Sequence, residues 1–220
     1  MDASEVTQLY SRRFGKGAEG RRVLWSTLCR SFFQRYVPSG ATVVDMPSGS
    51  CDFINHIEAD RRIAIDLSPD VVRYAGDGVE TFVARSTELP AELAGTADVV
   101  FVSNFFEHLP DAEELLTTLR SIRTLLSPTG RLLVLQPNIR LTGAAYWDFI
   151  DHSLAITEKS LVEALEVTGF EVEELIVRFL PYTTESRLPI HPMLIEAYLK
   201  FRPAWRLLGK QTFAVARAAS

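Results

Sequence analysis

Apolar residues along the 220-residue chain follow two alternating rhythms. Val23, Leu24, Leu28, Phe32, Phe33 and Val37 recur at helical spacing, and Pro38-Ser39-Gly40 ends the run, which predicts a helix over 21–37. Ala41-Thr42-Val43-Val44-Asp45 follows as a short apolar run ending on an acid, as expected of a strand buried on both faces. The alternation then repeats. Helical patterns are predicted over about 52–59, from Ser68 as N-cap with Pro69 at the first helical position, and from the Asp111 cap to about Leu126. A further helix opens at Thr157-Glu158 and ends near Gly169. Short apolar runs predict strands at 61–66, 79–84, 97–103 and 131–137, the last after a Ser127-Pro128-Thr129-Gly130 turn. Strands at 170–180 and 210–217 follow. Between them HPMLIEAYLKFRPAWRLL, 191–208, reads as an apolar and aromatic insertion that either covers a site or packs on the sheet. Strands separated by helices imply an α/β fold: a mostly parallel sheet with helices on both faces.

In such a sheet ligands bind outside the carboxyl ends of the strands. Polar residues cluster at those ends. Asp45 ends the first strand and leads into Met46-Pro47-Ser48-Gly49-Ser50-Cys51. Asp66, followed by Leu67, ends the second strand and suits a carboxylate that accepts hydrogen bonds from ribose hydroxyls. Ser86 and Thr87 follow the third strand, and Asn104 with Glu107-His108 the fourth. Taken singly, each has a plainer role: Asp45 as a turn cap, Asp66 as a surface acid, His108 as a helix-flanking residue. Their coincidence on one edge of one sheet carries the functional reading. Histidine titrates near neutrality, so His108 is a candidate general base. His152, in the loop after the fifth strand, is a second candidate or a polar group satisfied by nearby backbone. Tyr146, Trp147 and Phe149 add aromatic surface near the same rim, or core. Tyr10 to Phe14 either folds over the pocket or forms a solvated basic end.

Composition narrows the field. At 47% hydrophobic the chain can bury a sizeable core. A net charge of −5 excludes nucleic-acid binding through bulk positive charge. Two cysteines, Cys29 and Cys51, make neither a disulfide framework nor a zinc spacing, so reduced thiols and no metal site are expected. The opening segment lacks the apolar stretch of a signal peptide, and no run of ~18 apolar residues occurs, so a cytoplasmic protein without a membrane span is expected.

Asp45 with its turn, Asp66, Ser103-Asn104-Phe105-Phe106-Glu107-His108-Leu109 and LLSPTGRLLVLQPN together resemble the class I S-adenosylmethionine-dependent methyltransferases, over about residues 20–218. The resemblance implies a Rossmann-like seven-stranded sheet of order 3-2-1-4-5-7-6 whose last strand is antiparallel. It implies an N-terminal helical segment, 1–40, as a candidate pocket cover. An α/β domain over 41–220 would follow, with an insertion at about 181–209. Asp45, Met46, Pro47, Ser48 and Gly49 would lie beside the methionine end of S-adenosylmethionine, Asp66 and Leu67 at its ribose, and Ser86 and Thr87 at its adenine. Asn104 would border the transferred methyl. Glu107, His108 and His152 would supply the catalytic groups, and S-adenosylhomocysteine would be the product. The family's first loop usually reads Asp-x-Gly-x-Gly-x-Gly; here Pro47 replaces the first glycine and Cys51 the third. Proline removes an N–H and Cys51 adds a Cβ, while Ser48 and Ser50 offer hydroxyls in return. The implied activity is methyl transfer to a small-molecule acceptor, a sugar, glycan or secondary-metabolite intermediate, by a monomer or homodimer. The altered loop keeps two alternatives open: other chemistry on the same fold, such as cyclisation, isomerisation or elimination, or a non-catalytic partner subunit.

Overall fold

The computed structural model describes residues 18–182 and 190–219. The candidate cover at Tyr10–Phe14 lies outside the described residues, as does part of the 181–209 insertion. Seven strands form one sheet: β1 Thr42–Asp45, β2 Arg61–Asp66, β3 Val79–Val83, β4 Ala97–Ser103, β5 Leu126–Pro137, β6 Phe170–Ile176 and β7 Gln211–Ala218. Their order is β3-β2-β1-β4-β5-β7-β6, as the resemblance implies. Pairing is parallel from β3 through β5, and β7 runs antiparallel to both β5 and β6.

The apolar runs form strands because both faces of the sheet are covered. Alternate residues face opposite sides. Val44, Ile63, Ile65, Val100, Val102, Leu132 and Val134 pack under helices α3 (Ala112–Leu125) and α5 (Glu158–Val167). Val43, Ala64, Val99, Phe101, Leu133 and Phe213 pack on the other side with α1 (Ala18–Ser31). Two of the expected caps, Asp111 and Thr157, are in place. Asp111 accepts from the Glu114 N–H at 2.9 Å, and Thr157 forms a reciprocal capping box with Ser160.

Several expected elements differ. The helix expected over 21–37 stops at Ser31, because Phe32 leaves helical geometry (φ −135°) and sets its ring 4.2 Å from that of Phe179; one 3₁₀ turn, Phe33–Tyr36, follows. No regular helix forms over 52–59, where turns are found instead. There the Asp52 carboxylate accepts from Ser50 Oγ and Arg21 Nε, both at 2.6 Å, which competes with helix formation. Ser68 accepts from the Asp70 N–H, yet helix α2 begins only at Val71 and ends at Tyr74. The 127–130 turn lies inside β5: Leu126 pairs with Ala97 and Arg131 with Val99, so four residues loop out opposite Asp98. A short helix α4, Ile139–Thr142, not expected from the pattern, follows β5. The insertion resolves into α6, Pro192–Lys200, and α7, Arg202–Leu208. It takes the packing alternative: Leu199 and Trp205 join the core with Phe32, Phe179 and Phe213, and α6 lies against α1. Among the described residues no helix is long and apolar enough to cross a membrane.

Candidate functional site

The carboxyl edge of the sheet gathers two groups of polar side chains. The first surrounds the loop after β1. Asp45 is buried at the end of β1, and the Ile54 N–H donates to its carboxylate. Burial raises its pKa well above the usual carboxylate range, and the nearby charges of Asp66 and Asp52 add to the rise. Asp66, buried at the end of β2, clamps the loop. Its Oδ2 accepts from the Gly49 N–H and its Oδ1 from the Ser68 N–H, both at 2.8 Å, and the Leu67 N–H donates to the same carboxylate. Burial nonetheless holds its pKa up, against the pull of those three donors.

The loop keeps the left-handed backbone expected of glycines at two positions, Gly49 (φ 52°) and Cys51 (φ 58°). Met46-Pro47 is a cis peptide. Met46 is buried and its N–H donates to the Phe101 carbonyl. Cys51 turns its side chain into the core among Phe53, Ile54 and Val71, away from the loop's outer surface. Burial pushes that thiol up to about 12. The hydroxyls expected to replace lost donors are engaged within the protein: Ser48 Oγ donates to the Ile65 carbonyl and Ser50 Oγ to Asp52.

The second group follows β4. Asn104 is exposed with φ 47°, a conformation asparagine tolerates better than most residues, and its N–H donates to the Leu135 carbonyl. The chain then makes a 3₁₀ turn, Phe106–His108. Glu107 is buried and its Oε2 accepts from Gln136 Nε2 at 2.7 Å. Its other oxygen lies 4.0 Å from His108 Nε2. His108 Nδ1 lies 3.1 Å from the Asp151 carboxylate and 3.2 Å from the Asp151 carbonyl, which sets that nitrogen as the donor and leaves Nε2 as the basic one. Burial opposes the charged imidazole, but the Asp151 hydrogen bond and the charges of Glu107 and Asp151 outweigh it, and the His108 pKa is raised. Burial, by contrast, raises the pKa of Glu107. The His152 ring sits 4.9 Å from that of His108 and is flanked by Tyr146 and Phe149. Ligand atoms of Glu107, His108 and His152 lie within 4.8 Å of one another, close enough to hold a cation between them but beyond direct hydrogen-bond distance for Glu107 and His108 Nε2, 4.0 Å apart.

The structure thus brings together Asp45 through Gly49 with Asp66, and Glu107 with His108 and His152. Ser86 and Thr87 stand apart in their bonding. Ser86 Oγ meets Thr118 Oγ1 at 3.0 Å and the Thr87 carbonyl accepts from Ser121 Oγ, so both turn toward α3. Tyr146 is core: it is fully buried and its hydroxyl donates to the Leu154 carbonyl. Three residues were given no role by the reading of the sequence, Asp52, Gln136 and Asp151. Gln136 left a signal, an amide at the end of an otherwise apolar strand. Asp151 left none beyond its place beside His152.

The donor set fits a positively charged nucleoside ligand. Three acids, Asp45, Asp52 and Asp66, surround one loop, and Arg21 pairs with Asp52 of these. A carboxylate has about four acceptor positions, and three backbone donors on Asp66 leave capacity for a ribose hydroxyl.

Residues 18–175 match the family described as Methyltransferase domain. A ubiquinone biosynthesis O-methyltransferase from Xanthomonas axonopodis pv. citri (strain 306) is 32% identical over 177 residues, 76% of this chain and 63% of that relative, so the match spans less than two thirds of the relative's length. A chain from the Haloferax volcanii complex of the Trm112 methyltransferase activator superposes with a TM-score of 0.71 at 20% identity, covering 100% of this chain and 98% of that one. An S-adenosylmethionine-dependent methyltransferase from Archaeoglobus fulgidus gives 0.64 at 17% identity, over 96% and 98% of the two chains. At these identities the structures speak for the fold.

Proposed function

The chain belongs to the class I S-adenosylmethionine-dependent methyltransferases, and from that premise we propose that it methylates a hydroxyl of a small-molecule acceptor, with His108 as the general base. The observation that carries this reading is the Asp151–His108 pair at 3.1 Å, on the sheet edge that also holds Asn104 and the Asp66-clamped loop. The name of the 32% identical relative, an O-methyltransferase, supports an oxygen acceptor.

S-adenosylmethionine, when bound, supplies an electrophilic methyl group. The chain's own residues then have three tasks. Asp66 accepts from the ribose while holding Gly49 in its left-handed turn. Asp45, Asp52 and Asp66 favour the cationic end of the cofactor by charge. His108 takes the acceptor proton at Nε2, because Asp151 holds the proton on Nδ1 and stabilises the imidazolium that forms. Glu107, fixed by Gln136, sets its other oxygen 4.0 Å from His108 Nε2 and adds a second acidic group beside the ring. Phe149 and His152, stacked at 5.1 Å between centroids, form a wall suited to a planar acceptor.

The test is transfer of labelled methyl to a panel of catechols, phenols and sugars. His108→Ala should lower turnover on the accepted compound by about a hundredfold or more while the affinity for S-adenosylhomocysteine stays within about twofold. Unchanged turnover would remove His108 from the role of base. A chelator in the same assay separates the general-base reading of His108 from one in which Glu107, His108 and His152 hold a cation: rates should not change.

A further inference from the structure

Helices α6 and α7 carry more apolar side chain than the fold uses. Their inner residues, Leu199 and Trp205, pack in the core, and Tyr198 packs beside them. The outer residues do not. Met193 is 71% exposed, Leu194 51%, Phe201 62%, Leu207 81% and Leu208 50%. On α6, Met193 and Leu194 lie four and three residues before Ala197, and Phe201, the cap of the helix, lies four after it, so they fall toward one side, and Leu207 and Leu208 add exposed apolar side chains on α7. Scattered exposed apolar residues are ordinary, but five on two consecutive helices form a patch.

Charge says what covers it. Between residues 190 and 210 the cations are Lys200, Arg202, Arg206 and Lys210, and all four are exposed. The single acid there, Glu196, is engaged at 2.9 Å by Arg30 of α1. This excess of positive charge is local, since the whole chain carries −5. A second copy bringing the same face would set cation against cation, which disfavours self-association. Apolar side chains interleaved with lysine and arginine match an anionic bilayer, where rings and aliphatic chains enter the acyl boundary and the cations meet headgroup phosphates.

We propose that the outer face of α6–α7 docks this protein on anionic lipid bilayers. Phe201, Leu207 and Met193 enter the interface, and Lys200, Arg202, Arg206 and Lys210 face the headgroups. The surface is independent of the acceptor chemistry and of His108.

Sedimentation of the full chain with vesicles tests it. Wild-type protein should sediment with phosphatidylglycerol-containing vesicles, should stay in solution with pure phosphatidylcholine, and should be released progressively by salt. Lys200→Glu with Arg202→Glu and Arg206→Glu should lower partitioning at least about tenfold. Phe201→Ser with Leu207→Ser should lower it by a similar factor. All five side chains are exposed, so melting midpoints should hold. The salt series on wild-type protein keeps the test decisive should a multiple variant fail to fold. Three outcomes would overturn the proposal: no sedimentation with anionic vesicles, equal sedimentation with neutral ones, or charge-reversed protein that binds like wild type. A concentration-dependent dimer lost in Leu207→Ser, without vesicle binding, would overturn it in favour of a second copy.

Discussion

Cys51 occupies a left-handed turn where the family places glycine, and it does so without intruding on the loop's outer surface. Holding a side chain there costs about 1–2 kcal/mol. Burying that side chain in the core and restricting the unfolded chain together return a similar amount. Cys51→Gly should therefore shift the melting midpoint by only a few degrees, and should change S-adenosylhomocysteine affinity by less than about threefold, read by calorimetry. The buried thiol, with its pKa near 12, should resist alkylation at neutral pH until the protein unfolds. The other decisive residue is Asp151. It raises the His108 pKa above the ordinary 6.5, so the rate should climb with pH through a midpoint above that value. Asp151→Asn should move the midpoint to lower pH and reduce kcat. Stability follows with its own sign. Because the folded pKa is the higher one, the imidazolium's contribution is complete below about 6.5 and fades as pH rises through the folded value. Asp151→Asn should accordingly destabilise more on the acid side, which a series of melts across pH would show.

At the scale of elements, the loop inside β5 gives the sharpest constraint. A Cβ on Gly130 would lie 2.5 Å from the Ala97 carbonyl oxygen and 3.0 Å from the Ser127 nitrogen, both backbone atoms that cannot give way. Gly130→Ala should cost about 1–3 kcal/mol, measured by urea unfolding. The strands were legible because each is a short apolar run covered on both faces, a pattern that needs no knowledge of partners. The helices over 21–37 and 52–59 were misread for tertiary reasons. Phe32 leaves its helix to pack on Phe179, and Asp52 is drawn to Ser50 and Arg21. No local pattern records those contacts. The same holds in the site. Asp45, Asp66 and Glu107-His108 stand out as polar residues ending or following apolar strands. Asp151 and Gln136 meet their partners 43 and 29 residues away, which only the fold brings about.

For the whole molecule, the proposed function divides the work between the two polar groups on the sheet edge, one for the cofactor and one for the acceptor proton. Asp45, Asp52 and Asp66 repel one another, and burial holds the Asp45 proton on to higher pH. A bound sulfonium would relieve that repulsion and favour the ionised forms of Asp45 and Asp66. S-adenosylmethionine should thus bind more tightly as pH rises, with proton release, while the uncharged sulfur of S-adenosylhomocysteine should show a weaker dependence. The most direct measurement is calorimetric titration of the cofactor-stripped protein with both compounds, beside the Asp66→Asn variant. The account predicts saturable one-to-one binding with Kd on the order of micromolar, weakened about tenfold or more in Asp66→Asn. Absence of binding at roughly millimolar ligand would mean that the loop from Asp45 to Cys51 no longer holds a cofactor, and would contradict the account at its centre.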